Sequence, residues 1–302
     1  MAAAKEKVDQ STGEVIEETP GTDLVAGAPG TALAVTDEWD YGNDAGLGTE
    51  NQTAEDVSVP FFIVLQPGSP KVQQPDATVK AGQIINNTTD DVYGDAKTGM
   101  TFIPSYTEHT FLEFIPRDNG GGLVGMHAID SDLIKQVRES QPLGKYVHPD
   151  NKNDLIETFT VYGVAVDRDG NGVPAVMGFQ STHIKPYKDW MFRARSIVLT
   201  NPKTGAKITA KQMPLWAFAY SIRTVWTEKN GFKWYGISVG FAGKDAVDSR
   251  VPAGSALYEL AKSVHEGVST GRTKADTSSL TREETGDAAP QKGDVNAADA
   301  PY

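Results

Sequence analysis

Apolar residues with any periodicity are confined to residues 58–268, and both ends of the 302-residue chain lack them. Residues 1–57 are rich in Ala, Gly, Thr, Asp and Glu, and residues 269–302 carry almost nothing apolar to pack. Such segments bury too little surface to offset the entropy of ordering. The expected organisation is a disordered acidic N-terminal arm (1–57), one core (58–268) and a disordered C-terminal tail (269–302). A core of about 210 residues is a comfortable single domain. The chain has no cysteine, which excludes a disulfide framework, a thiolate zinc site and a cysteine nucleophile, and points to a reducing compartment.

Within the core, short apolar runs broken by Gly, Asn and Pro recur. They are VPFFIVLQ (59–66), GQIIN (82–86), MTFIPSY (100–106), TFLEFIPR (110–117), ETFTVYGVAVD (157–167), VPAVMGFQST (173–182), PLWAFAYSIRTVW (214–226) and FKWYGISVGF (232–241). Their alternation and β-branched content predict strands, with DRDGNG and TEKNG as hairpin turns. Three helices are expected, over 130–139, over 187–199 and from a Ser255 N-cap onward. In the second, Tyr187, Trp190, Met191, Ala194, Ile197 and Val198 share one face while Lys188, Phe192 and Arg195 lie on another. In the third, Leu257, Ala261 and Val264 point inward. The fold class is therefore mainly β with helical insertions, an antiparallel barrel or sandwich.

Several chemical motifs are better explained by backbone needs. Asp167, Asp169, Asn171 and Gly172 imitate the opening of a calcium loop, but Gly178 occupies the position that requires a bidentate Glu, so a tight turn is the simpler account. Gly120, Gly122 and Gly125 match GxGxxG without the strand and helix alternation that a dinucleotide fold needs. The five histidines lack metal-ligand spacing, and no nucleophile elbow exists. No metal, no cofactor and no catalytic residues are expected, and the protein is read as a non-enzyme.

Charge is distributed unevenly. Residues 1–58 hold 2 basic and 13 acidic side chains, whereas 180–244 hold 11 basic and 2 acidic. The stretch 179–241 also contains 12 of the 26 aromatic residues and 4 of the 5 Trp. Single-stranded nucleic acid is held by cations along its phosphates and by rings stacked on unpaired bases, each stack contributing about 1–3 kcal/mol. The expected phosphate contacts are Lys185, Lys188, Arg193, Arg195, Lys207, Lys211, Arg223, Lys229 and Lys233. The expected exposed platforms are Phe192, Trp226, Trp234 and Tyr235, while Phe218, Tyr220 and Phe241 are assigned to the core. Trp216, Phe218, Tyr220, Ile222, Thr224 and Trp226 are placed on one strand face, with Arg223 on the other.

The chain ends Asp299, Ala300, Pro301, Tyr302. An acidic tail closing on Asp, a spacer, Pro and an aromatic with the free carboxylate resembles the tip of bacterial single-stranded DNA-binding proteins, with Tyr in place of Phe. That resemblance implies a partner-binding tip of Asp299, Pro301 and Tyr302. The β-rich core, basic and aromatic middle and acidic ends, together with VPFFIVLQPGSP and FIPRDNGGGLVG, resemble single-stranded DNA-binding proteins of tailed phages. Membership would imply an oligonucleotide/oligosaccharide-binding (OB-like) barrel.

The functional expectation is a protein that coats single-stranded DNA in phage replication or recombination, in the host cytoplasm. Its partners would be single-stranded DNA and replication or recombination proteins met through the tip, with no membrane. The number of copies in the working unit stays open, a homo-oligomer included. The alternative is a β-rich structural or adaptor protein of a phage with no nucleic-acid ligand.

Overall fold

The computed structural model describes residues 58–275 apart from 121, 142–145 and 230. The arm (1–57), the tail from 276 onward and the tip lie outside the described residues. In chain order the elements are β1 (Phe62–Val64), α1 (Pro70–Gln73), β2 (Ile84–Asn86), β3 (Val92–Gly94), β4 (Met100–Phe114), β5 (Leu123–Ala128), α2 (Asp132–Ser140) and β6 (Tyr146–Val147). They continue with β7 (Asp154–Val166), β8 (Gly172–Gln180), α3 (Ile184–Arg195), β9 (Val198–Thr200), β10 (Lys207–Thr209), β11 (Tyr220–Lys229), β12 (Phe232–Phe241) and α4 (Ala256–Ser269).

The protein is mainly β, and its sheets are antiparallel. A seven-stranded sheet runs β12-β11-β4-β7-β6, with β5 added to β4 and β8 to β7; β1-β2-β3 and β9-β10 form smaller sheets. Among the described residues no sheet closes on itself, so the OB-like barrel is not confirmed. The two runs expected around 100–117 form one strand, β4. It passes through Pro104 because the register shifts between Pro104 and Tyr106, a bulge of the kind that accommodates proline in a sheet.

The DRDGNG turn joins β7 to β8. Asp167 accepts hydrogen bonds from the backbone of Asp169 and Asn171 and from Asn171 Nδ2, while Gly170 takes φ +89°. The second expected turn, TEKNG, is shorter than its sequence suggests: Thr227, Glu228 and Lys229 belong to β11 and pair with Trp234, Lys233 and Phe232 of β12. After β4 a 3-10 turn at Arg117–Asn119 precedes the return as antiparallel β5.

Alternate residues of the central strands feed two cores. Met100 and Phe102 of β4, Val161 and Ala165 of β7, and Ala175 and Met177 of β8 pack beneath α3. Ile103, Tyr162, Val164 and Val176 point to the opposite face, where α4 lies. Both helices are anchored by four buried residues, Tyr187, Trp190, Met191 and Ala194 in α3 and Ala261, Val264, Gly267 and Val268 in α4. Full burial of a large apolar side chain contributes about 1.5–3 kcal/mol, so these stripes fix the helices to the sheet. Ser255 caps α4 by accepting from Tyr258 N, as its sequence position predicts. After α4 the chain continues to Lys274, whose carbonyl accepts from Val59 N at 3.0 Å. Among the described residues no helix is long and apolar enough to cross a membrane.

Candidate nucleic-acid interface

The helix α3 follows a 3-10 turn at Ser181–His183. With its apolar stripe turned inward, the opposite face exposes Lys185, Lys188, Asp189, Phe192, Arg193 and Arg195. Phe192 is 73% exposed, the highest value among the large exposed hydrophobic residues. Residues 185–211 contain seven basic side chains and one acidic one, Asp189. That acid sits one turn from Lys185 and pairs with it at 2.8 Å, an exposed contact of small energetic weight. Lys188 Nζ lies 5.4 Å from the Phe159 ring centroid, which orients the ammonium while leaving its outer side in water. Arg193 donates from Nη2 to Val239 O and from Nε to Asp189 O, so it ties α3 to β12. Arg195 is exposed at the end of the helix.

The chain then enters the β9-β10 hairpin, where Lys207 is exposed, and a 3-10 turn at Ala210–Gln212 exposes Lys211. Val198 was expected on the buried stripe of α3. Instead the helix ends at Arg195, the extended backbone of β9 turns Val198 outward, and it is 55% exposed.

The β11-β12 hairpin contributes a second group. Trp226 stands directly across from Tyr235, and their rings meet edge-on at 4.9 Å between centroids. Tyr235 is held from behind: its backbone N donates to Gln66 Oε1 at 2.8 Å, its carbonyl accepts from Gln66 Nε2 at 2.9 Å, and a Cβ on Gly82 would collide with its ring. Trp226, 48% exposed, is thus a ring braced by a fixed neighbour. Glu228 and Lys233 oppose each other at the same end, 3.6 Å apart. Arg223 and Lys229 are exposed, but strand alternation sends them to the face opposite Trp226.

Three sequence readings are corrected here, the first being Tyr235, which is half-buried against the core and braces Trp226 instead of standing as an exposed platform. Trp234 is not an exposed platform, because it is 7% exposed and shares its buried face with Phe232 (8%). Proximity to Lys233 in sequence carried no information about facing, since neighbours on a strand point opposite ways. Trp216 does not continue the β11 face. Pro214 leads into a 3-10 turn at Leu215–Ala217, which swings the indole toward α4, beside Tyr258 and His265. Phe218 and Tyr220 lie in the core as expected, with Phe241 packed against it, and burial pushes the Tyr220 phenol up to about 12.

The sequence reading missed His109 and Glu157, which pair at 2.9 Å beside the Lys188 contact. His109 stacks on the Phe159 ring at 4.0 Å, and Tyr187 stacks on the same ring at 4.6 Å. A lone histidine in a strand gives no signal of such stacking until the β4-β7 register is known. Also missed was Glu113, which accepts from His127 at 2.7 Å, Asn151 at 2.8 Å and Asn153 at 2.6 Å. Desolvation raises the pKa of its carboxyl, but the hydrogen bonds from Asn153, His127 and Asn151 outweigh it and leave the group below its ordinary range. This cage pins the loop after β6 to the sheet. No group of three or more His, Cys, Asp or Glu able to hold a metal occurs among the described residues.

Together these features define a class: a mainly antiparallel β protein that carries a cationic surface set with exposed rings on one helix and one hairpin. The chain belongs to the Pam3 phage gp34-like protein family, which matches residues 28–274 and marks it as a phage protein. No curated protein and no solved structure matches it.

Proposed function

We propose that this phage protein binds single-stranded DNA without sequence preference during replication or recombination, and that it does so without catalysis. The reading is carried by the outer face of α3, where Phe192 stands 73% exposed among Lys185, Lys188, Arg193 and Arg195. Burying Phe192 would gain free energy, yet the fold leaves it in water beside cations. A ring in that setting offers a stacking platform to a base whose phosphates are neutralised alongside. Trp226 supplies a second platform, and Lys207 and Lys211 extend the cationic track beyond α3. The tip residues Asp299, Pro301 and Tyr302 remain the candidate contact for replication or recombination proteins.

A structural or adaptor role without nucleic acid is favoured by a different observation: Lys185 and Lys233 have acidic neighbours, and Arg193 is engaged by backbone carbonyls. Fluorescence anisotropy of labelled oligo(dT) at low salt separates the two. Single-strand binding predicts saturable titration that weakens as salt is added. No titration at low salt would leave the adaptor reading.

A further inference from the structure

The cationic track changes character where α3 gives way to the β9-β10 hairpin. This hairpin is a two-stranded sheet of its own, not joined to the seven-stranded one. Its register sets Val198 across from Thr209, Leu199 from Ile208 and Thr200 from Lys207. Leu199 and Ile208 therefore share one face, which is half-buried, with Leu199 packed against the core beneath α3. Val198, Thr200, Lys207 and Thr209 share the other face, and all four are exposed. Ala210 N closes the base by donating to Ile197 O at 2.9 Å. Asn201 orders the tip: its side chain accepts from the backbone N of Lys203 and Thr204, and its own backbone N donates to Ala206 O at 2.8 Å. Every residue from Pro202 to Lys207 is exposed, so a ribbon fixed at its base stands bare along its outer half.

Residues 196–213 carry Lys203, Lys207 and Lys211 and no acidic residue. Among the described residues no acidic side chain pairs with any of the three. No aromatic residue occurs between Phe192 and Trp216. Rings serve unpaired bases, whose faces are open. In a duplex those faces are covered by the neighbouring pairs, and the grip comes from cations and polar groups on the phosphates and from contacts to base edges in the grooves. The ribbon thus has what a duplex requires and lacks what a single strand would exploit, whereas α3 offers both. Its shape agrees, since two strands about 4.8 Å apart enter the major groove, about 12 Å wide, which admits a two-stranded ribbon.

We propose that the β9-β10 ribbon contacts duplex DNA beside the single strand held on α3, so that the preferred ligand is a junction of single strand and duplex rather than a plain single strand. This rests on the single-strand reading and says where on DNA it applies. Lys203 at the tip and Lys207 on the outer face meet phosphates, while Val198, 55% exposed, faces the base edges, where an apolar side chain can cover a thymine methyl. Duplex DNA carries one charge per about 1.7 Å of axis, so a few lysines on a narrow ribbon gain more from it than from a single strand. Only two residues separate the end of α3 from β9, which brings the two contacts onto one DNA molecule.

Fluorescence anisotropy of the full chain compares three ligands: oligo(dT), a duplex carrying the same oligo(dT) as a tail, and the blunt duplex. The tailed duplex is expected to bind about fivefold more tightly than oligo(dT), with a salt slope steeper by about 0.9 for each duplex phosphate met, and the blunt duplex more weakly than the tailed one. Lys203→Ala, exposed in the turn, is expected to cut the preference to about twofold and take about 0.9 from the tailed-duplex slope, with oligo(dT) binding unchanged. Phe192→Ala is expected to weaken oligo(dT) and the tailed duplex alike and keep their ratio. Equal binding of tailed duplex and oligo(dT), a preference that survives Lys203→Ala intact, or a blunt duplex bound as tightly as the tailed one would overturn the proposal. Each of these leaves oligo(dT) binding in place, so it is distinct from failure of the single-strand reading, whose sign is no oligo(dT) titration at all and which would overturn the junction with it.

Discussion

The helices α3 and α4 do the same structural work on opposite faces of one sheet, yet their outer surfaces differ. Each buries a stripe of four residues. Outside, α4 shows Glu259, Lys262, Ser263 and Glu266, a mixed polar surface with no large exposed apolar residue. In α3 the outside shows four cations, one acid and a bare phenylalanine ring. Packing requires nothing of these outer positions, so α4 shows what a merely solvated helix in this fold looks like. The excess on α3 is what the proposed single-strand ligand would account for.

The comparison breaks most visibly on stability. Trp190→Ala removes a 1% exposed indole from beneath α3 and is expected to cost about 3–5 kcal/mol. Phe192→Ala, two residues on, is expected to change stability by no more than about 0.5 kcal/mol. Urea unfolding measures both. A large loss for Phe192→Ala would show that the ring is structural and remove the reason to call it a platform.

Binding should show the reverse order. Phe192→Ala is expected to weaken oligo(dT) binding by about 1–3 kcal/mol with its salt dependence unchanged, because stacking releases no counterions. Lys262→Ala on α4 is expected to leave binding within twofold, or about 0.4 kcal/mol. Equal losses from the two substitutions would erase the distinction between the helices.

A third prediction concerns the two acids of β4. Glu113 has its pKa lowered, so the stability it contributes is present above its unfolded pKa and is lost as pH falls through the lower folded value. Glu108, on the α4 face beside Tyr162, is shifted upward because burial outweighs the hydrogen bond from that phenol, so its ionised form penalises the fold at neutral pH. Glu113→Gln should therefore destabilise at pH 7 and flatten the acid limb of a stability-pH curve. Glu108→Gln should be neutral or stabilising at pH 7. Thermal melts from pH 3 to 7 check the signs, and a stabilising Glu113→Gln would contradict the assignment.

The smallest effect concerns the acidic arm, whose net charge of −11 is expected to compete with an anionic strand for the cationic surface. Its removal is expected to raise single-strand affinity a few-fold at low salt and hardly at all above about 0.3 M. Anisotropy titrations at the two salts read it, and no low-salt change would exclude competition by the arm.

Much of this layout was legible in the sequence because it depends on local periodicity. The stripe Tyr187, Trp190, Met191 and Ala194 has helical spacing, and turn residues marked the β7-β8 and β11-β12 hairpins. Features set by distant contacts were not legible. Gln66 bonds Tyr235 across 169 residues, and no local pattern distinguishes it from a surface glutamine. Trp216 and Trp234 illustrate the same limit, since alternation within a strand can be read, but not where the strand begins or which face is covered. Alternation alone places Arg223 opposite Trp226, while the side of the hairpin taken by Lys233 depends on the register between the two strands.

The central claim, that the α3 surface grips phosphates, is tested most directly by the salt dependence of oligo(dT) binding for wild type and for Lys185→Ala/Lys188→Ala/Arg195→Ala, three exposed positions that leave the Arg193 contact to β12 intact. Each phosphate contact on a single strand contributes about 0.7 to the slope of log K against log salt. The triple variant is therefore expected to lose about 2 from that slope, and to bind at least tenfold more weakly at low salt while melting like wild type. An unchanged slope and affinity in a folded triple variant would contradict the account.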